Sequence, residues 1–378
     1  MNRLLSLDGG GIRGVFTLEI LRRVEALLKE RYHKPDLVLA DYFNFIGGTS
    51  TGAIIASLLA MGKRVAEVQE LYSKLGIYAF QQTQGLPALR TKYQAIPVRK
   101  TLRTLFREAD GRPAILGSEQ LRSFLLIVLR NATTGSTWPL TNNPDAIYNV
   151  REEGRTSNLD LYLWQLVRAS TAAPTLYSSE TVLLRDRVGR NKTYEFIDGG
   201  VGPHGNPSVM MYLQATLPQY KMNLSAGARN LYILSIGTGN LAEVYPPGQM
   251  TRINRVGGAI RMLRSLLSAI NEEQDLICRA IGQCIYGPPI DRELGDLSLP
   301  LDSERADARF LYCRYDQKFS EQDCRRARQE FASRNPLALD DIRSVPLIKE
   351  LGAKYANEEV RPEHLPKAAL LTQRLVKF

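Results

Sequence analysis

One serine in the sequence has the spacing of a nucleophile on a tight turn. Ser50 lies in GTSTG, with Gly48 two residues before it and Gly52 two residues after it. Between a predicted strand and a predicted helix, small flanking residues relieve the crowding of a strained serine backbone. The hydroxyl then stands clear of the sheet, at the positive end of the helix. The motif predicts a nucleophile, although a strand packed against a helix also selects small residues here.

A serine hydroxyl needs a base before it attacks, and the sequence offers two candidates. Of the three histidines, His204 is the candidate because the other two lie in surface-like segments. Ser50, Asp198 and His204 follow the chain order of an α/β-hydrolase triad, but that nucleophile normally follows several strands and Ser50 follows only two. Asp198 itself ends a predicted strand in FIDGG. A carboxylate base requires a dry site with strong oxyanion stabilisation.

A glycine-rich loop, DGGGIRG at residues 8–14, follows a predicted strand and opens a predicted helix. Glycines at such a junction let backbone N–H groups point at an anion beyond the helix N-terminus. Arg13 opposes the helix dipole in the first turn, so a negatively charged partner explains it better. The spacing also fits a dinucleotide site, with Glu30 and Asp36 near the distance expected of a ribose-binding acid. The loop predicts an anion site and leaves the ligand open.

The net charge of +10 is concentrated in part in one segment. Residues 83–107, TQGLPALRTKYQAIPVRKTLRTLFR, contain basic side chains and no acidic one. A solvated face explains such a segment, and so does attraction to anionic lipid headgroups or to a nucleotide phosphate. These three interpretations stay open at the level of charge alone.

Composition argues against several classes of protein. The four cysteines have no CxxC spacing and the three histidines are scattered, so neither a disulfide framework nor a metal site is expected. The longest aliphatic run, FLLIVL at 124–129, is far shorter than the roughly 20 residues that span a bilayer. No signal peptide is recognised at the N-terminus. We therefore expect a soluble, cytoplasmic protein.

Hydrophobic patterning predicts an α/β fold. Strands are predicted at 3–7 and 41–48, and each is followed by a helix, over 15–31 and 51–62. This alternation implies a mainly parallel central sheet flanked by helices. After about residue 250 the pattern is mainly helical. The predicted organisation is a catalytic core over 1–240 with a mainly helical C-terminal elaboration over 241–378 packed on it.

Four motifs in order resemble the patatin-like phospholipase family. They are DGGGIRG at 8–14, GTSTG at 48–52, ASTAAP at 169–174 and DGG at 198–200. The resemblance covers about residues 1–240 and implies a three-layer α/β fold and a lipid acyl hydrolase with a Ser–Asp dyad. It implies Ser50 as nucleophile, Asp198 as base and the N–H groups of Gly10 and Gly11 as oxyanion hole, without metal or cofactor. The remaining motif positions would shape the site: Gly9, Arg13, Gly14, Gly48, Gly52, Gly199 and Gly200.

Some bacterial members of this family resemble effectors of anti-phage defence that a cyclic nucleotide switches on. The resemblance therefore implies a membrane phospholipid as substrate, at the inner face of the membrane, and a cyclic dinucleotide or oligonucleotide as activator. It implies no DNA or RNA partner, and a homodimer or larger homo-oligomer is compatible with it. Candidate nucleotide-binding residues are Arg90, Lys92, Tyr93, Arg99 and Lys100, although a membrane-facing lid would use the same residue types.

Three other interpretations compete with the hydrolase. A nucleotide-binding module built on the glycine-rich loop, without hydrolysis, leaves the other three motifs unexplained. A storage or interaction protein that keeps the fold without activity would be expected to have lost Ser50 or Asp198, and both are present. A histidine-dependent esterase would require His204.

Overall fold

The computed structural model describes residues 1–79, 91–186, 188–241, 255–300, 303, 305–367 and 369–371. Its strands are β1 (Asn2–Leu7), β2 (Phe45–Thr49), β3 (Phe124–Asn131), β4 (Ser136–Thr141), β5 (Glu180–Arg185), β6 (Asn191–Asp198), β7 (Leu231–Ile236), β8 (Asn240–Leu241), β9 (Gln283–Tyr286), β10 (Leu311–Tyr315) and β11 (Lys318–Phe319). Its helices are α1 (Gly14–Arg31), α2 (Leu39–Tyr42), α3 (Thr51–Ala60), α4 (Val65–Ala79), α5 (Ala95–Leu105), α6 (Leu163–Ser170), α7 (Ser208–Thr216), α8 (Arg255–Ile281), α9 (Glu321–Phe331) and α10 (Val345–Glu359).

A mainly parallel sheet forms the centre of the molecule, as the alternating pattern predicts. In the described part of the chain its strands are hydrogen-bonded along the path β5-β6-β3-β2-β1-β7-β10-β9, and β4 is also paired to β3. The pairs from β3 through β2, β1, β7 and β10 to β9 are parallel. β4, β5 and β6 pair antiparallel.

Helices cover both faces of this sheet, which makes three layers. Because side chains alternate along a strand, Leu5 and Leu7 of β1 face one core while Leu4 faces the other. The first core also contains apolar residues of α1, α3 and α10. The second contains Met211 of α7 and Cys278 of α8. The predicted three-layer α/β architecture is therefore confirmed.

The C-terminal part contributes two strands to the same sheet. β10 pairs with β7, and β9 pairs with β10. The segment is otherwise mainly helical, as predicted, but β10 reads LYCRY, and a buried arginine within so short a strand hides the apolar pattern. The division of the chain near residue 240 stays a prediction. Within the described ranges, no helix combines the length and the hydropathy needed to cross a membrane.

Candidate active site

Two strands meet end to end along one edge of β3, and this brings Ser50 to Asp198. β2 pairs with the first part of β3 and ends with Thr49 opposite Val128. β6 pairs with the last part, where Asp198 lies opposite Leu129. β4 runs along the other edge of β3 and overlaps both segments, so β2 and β6 share one edge. Successive pairing positions on β3 thus place the residue after Thr49 next to Asp198.

Ser50 lies on a sharp turn between β2 and α3. Its φ of 55° and ψ of −124° are a conformation that a side-chain-bearing residue rarely adopts. The flanking glycines make the turn possible: a Cβ on Gly48 would lie 2.2 Å from the backbone of Gly52, and a Cβ on Gly52 would lie 2.3 Å from the carbonyl oxygen of Leu7. The strand, the turn and the helix therefore match the elbow geometry that GTSTG predicts.

The hydroxyl of Ser50 donates a hydrogen bond to Asp198. Ser50 Oγ lies 2.6 Å from Asp198 Oδ2, and the other carboxylate oxygen, Oδ1, accepts the N–H of Gly200 at 2.7 Å. Both oxygens of the carboxylate are thereby oriented. Gly199 allows the close approach, because a Cβ there would lie 2.3 Å from the carbonyl oxygen of Val128.

Burial sets the proton affinity of Asp198. Desolvation raises the pKa of this carboxyl to about 6, although the Ser50 hydroxyl, the Gly200 N–H and the buried Arg168 all stabilise the charged form. A carboxylate with a pKa near 6 is a stronger base than one in water and is still mostly ionised at neutral pH. The pair of side chains can therefore take up the proton of an attacking hydroxyl.

The ASTAAP segment holds both halves of this pair. The N–H of Ser50 donates to Ser170 Oγ at 2.9 Å, and the Ser170 hydroxyl donates to the carbonyl of Val128 at 2.7 Å. The N–H of Asp198 donates to the carbonyl of Ala172 at 3.0 Å. Reasoning from residue types gave Ser170 no role. The ASTAAP motif was its signal, but its function depends on contacts 120 residues apart.

The glycine-rich loop lies directly against the serine. A Cβ on Gly9 would lie 3.1 Å from Ser50 Cβ. The N–H of Gly10, predicted for the oxyanion hole, donates to Thr51 Oγ1 at 3.1 Å. Gly11 has a φ of 58° and no space for a side chain, since a Cβ would lie 2.0 Å from the carbonyl oxygen of Leu339. The loop thus presents its backbone beside Ser50, with one predicted donor engaged by a neighbouring side chain.

Further contacts brace the same loop from below. The hydroxyl of Tyr72 donates to the carbonyl of Gly11 at 2.6 Å, and the N–H of Ile12 donates to the carbonyl of Leu339 at 2.7 Å. Gly14 begins α1 against this tyrosine, where a Cβ would lie 2.4 Å from the hydroxyl. These contacts come from segments that the motif itself does not contain.

His204 lies near the site but does not reach the serine. Its backbone carbonyl accepts the hydroxyl of Thr49 at 2.5 Å, whereas its Nδ1 is buried without a partner among the described residues. Burial lowers the pKa of the imidazole. Within the same ranges, no group of three or more His, Cys, Asp or Glu side chains is arranged to hold a metal ion.

A cavity of about 1120 Å³ opens over the pair. Its lining includes Ser50, Asp198, the glycine-rich loop with Arg13, and apolar side chains such as Ile54, Leu75 and Val98. The lining also includes charged side chains away from the pair, among them Asp275, Arg279 and Glu359. A space of this size with partly apolar walls suits a ligand that has long hydrocarbon parts and a polar end.

The predicted nucleotide-binding residues are spread over two places. Lys92 lines the large cavity, and Asp340 binds both its ammonium at 2.5 Å and the hydroxyl of Tyr93 at 2.9 Å. Arg99 forms an ion pair with Glu180 at 2.9 Å and, with Lys100, lines a separate shallow groove. Arg90 lies outside the described residues.

Comparison with known proteins identifies relatives over the N-terminal two thirds. Patatin-17 of Solanum cardiophyllum is 26% identical over 255 residues, covering 64% of this chain and 62% of that protein. The cGAMP-activated phospholipase of Vibrio cholerae is 28% identical over 262 residues, covering 64% of this chain and 65% of that protein. A cGAMP-activated phospholipase of Escherichia coli is 29% identical over 247 residues, covering 62% of each. The chain thus spans less than two thirds of the length of these relatives.

Solved structures give weaker similarity. VipD from Legionella pneumophila matches with a TM-score of 0.38 and 13% identity, covering 94% of this chain and 67% of that one. The ExoU–SpcU complex of Pseudomonas aeruginosa matches with a TM-score of 0.30 and 15% identity, covering 73% of this chain and 51% of that one. TM-scores this low do not establish a shared fold.

The family model described as patatin-like phospholipase matches residues 5–207, just over half of the 378 residues. This range includes the glycine-rich loop, the serine turn, the ASTAAP segment and Asp198, which the fold gathers around one cavity. The chain belongs to the patatin-like phospholipase family.

Proposed function

We propose that this protein is a lipid acyl hydrolase that releases fatty acids from membrane phospholipids, with Ser50 as nucleophile and Asp198 as base. The observation that carries the proposal is the 2.6 Å hydrogen bond from Ser50 Oγ to the buried carboxylate of Asp198. The family of the chain and the large, partly apolar cavity above the pair support it.

The first half of the reaction transfers the acyl group to the enzyme. Ser50 Oγ attacks the ester carbonyl carbon while its proton passes to Asp198 Oδ2. The tetrahedral intermediate collapses, the bond to the leaving alcohol breaks, and Asp198 returns the proton to that alkoxide oxygen. A lysophospholipid leaves, and the fatty acyl group remains as an ester of Ser50.

The second half repeats the proton transfers with water. Asp198 takes a proton from a water molecule as its oxygen attacks the acyl-enzyme, and the proton then returns to Ser50 Oγ as the ester bond breaks. A free fatty acid is released. A base with a pKa near 6 serves both halves, because it accepts a proton readily and also gives it back.

The N–H groups of Gly10 and Gly11 would stabilise the negative charge on the tetrahedral intermediate. They lie in the loop against Ser50, whose own N–H is used by Ser170. The N–H of Gly10 must exchange the hydroxyl of Thr51 for the substrate oxygen. Such donors contribute most when the site excludes water.

The competing functions fit these contacts less well. A nucleotide-binding module has no use for a serine strained at φ 55° and bonded to a buried carboxylate. A histidine-dependent esterase requires an imidazole at the serine, and the Ser50 hydroxyl donates to Asp198. A His204→Ala variant that keeps its activity would exclude the esterase.

One exposed helix offers a surface for the membrane. Ile96, Lys100, Arg103 and Arg107 lie on the outer face of α5 and its end, with Ile96 75% exposed. They line a shallow groove of about 430 Å³, and the guanidinium of Arg103 lies 4.2 Å from the ring centre of Trp164. Basic side chains beside apolar and aromatic groups match the headgroup region of an anionic bilayer.

The position of this helix relative to the cavity supports the same interpretation. Val98, on the inner face of α5, lines the cavity that contains Ser50. A bilayer held against the outer face of α5 would therefore lie beside the catalytic cavity. This surface and the expected cytoplasmic location support the proposal that the enzyme acts at the inner face of the membrane.

We also propose that a cyclic oligonucleotide activates this enzyme in anti-phage defence. Two relatives are named as cGAMP-activated phospholipases. In this structure the N–H of Gly10 is engaged by Thr51, which suits an enzyme that requires a signal before it acts. The candidate cations at Lys92 and Arg99 would have to exchange their carboxylate partners for phosphate.

The deciding experiment measures fatty-acid release from phospholipid vesicles by wild type, Ser50→Ala and Asp198→Asn, with and without cyclic dinucleotides. We expect release by wild type only, dependent on one nucleotide. Release without any nucleotide would keep the hydrolase and remove the activator. Equal release by wild type and Ser50→Ala would remove Ser50 from the mechanism.

A further inference from the structure

A strip of polar side chains crosses the buried face of the sheet beneath the glycine-rich loop. Arg314 of β10 is paired in register with Ser235 of β7, and Ser235 is paired with Ser6 of β1. The two serines leave room above their strands. The Arg314 side chain passes over β7 and reaches Asp8, the first residue of the loop, 306 positions away in sequence.

The contacts of Arg314 are short and directional. Nη1 lies 3.0 Å from Asp8 Oδ1 and Nη2 lies 2.7 Å from Asp8 Oδ2, which is the bidentate geometry that only a guanidinium provides. Nη1 also donates to Ser235 Oγ at 2.7 Å, and Nη2 to Asp316 Oδ2 at 2.7 Å. Arg314 is 3% exposed.

The same guanidinium connects both sides of Gly10. On one side, Asp8 directly precedes the glycines of the loop. On the other, Asp316 Oδ1 accepts the N–H of Gly239 at 3.0 Å, next to Thr238. Thr238 is the side chain packed against Gly10, where a Cβ would lie 2.0 Å from its hydroxyl oxygen. Arg314 therefore holds both the segment that contains Gly10 and the segment that packs against it.

Stability alone is a weak reason for such a cluster. A buried ion pair repays its desolvation only with excellent geometry, and apolar residues of similar size are often as stabilising. The two carboxylates and the one guanidinium carry a net charge of about −1 when all are ionised. Burial raises the pKa of the Asp8 carboxyl to about 7 even beside Arg314. The directionality of the contacts accounts better for their presence, because it orients a loop.

We propose that Arg314 is a positioning residue for oxyanion stabilisation: by holding Asp8 and Asp316 it fixes the loop backbone that carries the Gly10 and Gly11 N–H groups beside Ser50, where the Gly10 N–H exchanges Thr51 Oγ1 for the oxygen of the reacting carbonyl. Arg314 lies outside residues 5–207, which the family model matches. The catalytic part of this inference rests on the proposed function, whereas the ordering of the loop is independent of it.

The test compares wild type with Arg314→Lys, which keeps the positive charge and loses the bidentate contact with Asp8. On a short-chain p-nitrophenyl ester, with the cyclic dinucleotide that activates the wild type present, we expect kcat to fall about 30-fold with KM changed less than threefold, since one oxyanion donor contributes about 10²–10³ in kcat. The matched control is Arg279→Lys. Arg279 is also buried and bound in bidentate geometry, by Asp275; it lines the same cavity, but its other hydrogen bonds go to the carbonyls of Pro288 and Asp296 rather than to the loop.

Backbone hydrogen exchange of peptides covering residues 8–14 gives a readout that needs no activity. We expect at least tenfold faster exchange in Arg314→Lys and wild-type exchange in Arg279→Lys. Wild-type kcat and exchange in a folded Arg314→Lys, or equal losses in both variants, would overturn the proposal. If Arg314→Lys does not fold, Asp316→Asn decides: faster exchange over 8–14 supports the proposal, and unchanged exchange overturns it. A wild type without hydrolysis would reject the proposed function, while the exchange comparison would still test the loop.

Discussion

The two halves of the candidate site are positioned by different means. Ser50 and Asp198 are brought together by backbone pairing of β2 and β6 along one edge of β3. The glycine-rich loop is instead held by contacts from distant segments, among them Thr238, Arg314 and the carbonyl of Leu339.

The difference shows which half is ready and which must change. The serine hydroxyl already donates to its base, whereas the Gly10 N–H is engaged by Thr51. Strand pairing tolerates most side-chain substitutions, whereas the side-chain contacts of the loop, such as those of Arg314 and Tyr72, are lost when those residues are replaced. We therefore expect loss of Ser50 or Asp198 to abolish hydrolysis, and changes in the glycine-rich loop to lower its rate.

The largest effect should come from removing the nucleophile. Ser50→Ala and Asp198→Asn should each lower fatty-acid release at least about 10³-fold with the fold retained, because the two groups act as one unit. Single-turnover release from vesicles measures this.

Ser50→Gly serves as the control for the strained turn. Glycine adopts φ 55° without strain, so this variant should be equally inactive and more stable to urea than Ser50→Ala by about 1 kcal/mol. Equal stability of the two variants would show that the turn stores no strain.

A matched pair of glycine substitutions separates the halves. A Cβ on Gly52 would lie 2.3 Å from the backbone oxygen of Leu7, so Gly52→Ala should destabilise the fold by about 3 kcal/mol. The three heavy atoms nearest to a Cβ on Gly10 belong to the side chain of Thr238, so Gly10→Ala should lose about 100-fold in kcat in addition to its cost in stability. Urea unfolding and ester hydrolysis measure the two effects.

A double variant checks the origin of the Gly10 effect. Adding Thr238→Gly to Gly10→Ala removes the clashing side chain and should recover part of the lost kcat. No recovery would mean that the methyl group interferes with the substrate itself.

Membrane binding should depend on α5 and not on either half of the candidate site. Replacing Lys100, Arg103 and Arg107 with glutamine should weaken binding to anionic vesicles at least about tenfold, since each surface cation contributes up to about 1 kcal/mol. Hydrolysis of a soluble short-chain ester should not change. Vesicle sedimentation at low and high salt measures the binding.

The control for this surface removes three exposed cations elsewhere. Arg325, Arg328 and Lys354 lie on α9 and α10, and their replacement changes net charge equally. If both triple variants lose vesicle binding to the same extent, binding depends on overall charge and α5 is not the docking surface.

The smallest expected effect is a displacement of the pH profile. Only ionised Asp198 accepts the serine proton, and burial raises its pKa to about 6, so kcat/KM should rise with pH through about 6 and level off above it. The charge of Arg168 lowers that pKa, so Arg168→Gln should move the rise to higher pH. An unchanged profile would mean that a group other than Asp198 controls the rise of kcat/KM with pH.

Residue types and spacing indicated the backbone of one half of the candidate site and little of what holds the other half in place. GTSTG and DGG imply a strained turn and a carboxylate at a strand end, because such backbones accept few residues. DGGGIRG implied an anion-binding loop, but Arg314, which braces it, lies in no motif recognised there. The candidate cations were found by composition, which does not show that Lys92 and Arg99 have carboxylate partners.

The sequence by itself determined the alternation of strands and helices, the site of the tight turn and the candidate residues for nucleophile and base. These are local properties, since chain sterics and hydrophobic period act over a few residues. Only the tertiary structure decided that Asp198 rather than His204 meets the Ser50 hydroxyl. It also decided that Arg314 reaches Asp8 across β7, because the order of strands in a sheet brings together side chains that no sequence spacing relates.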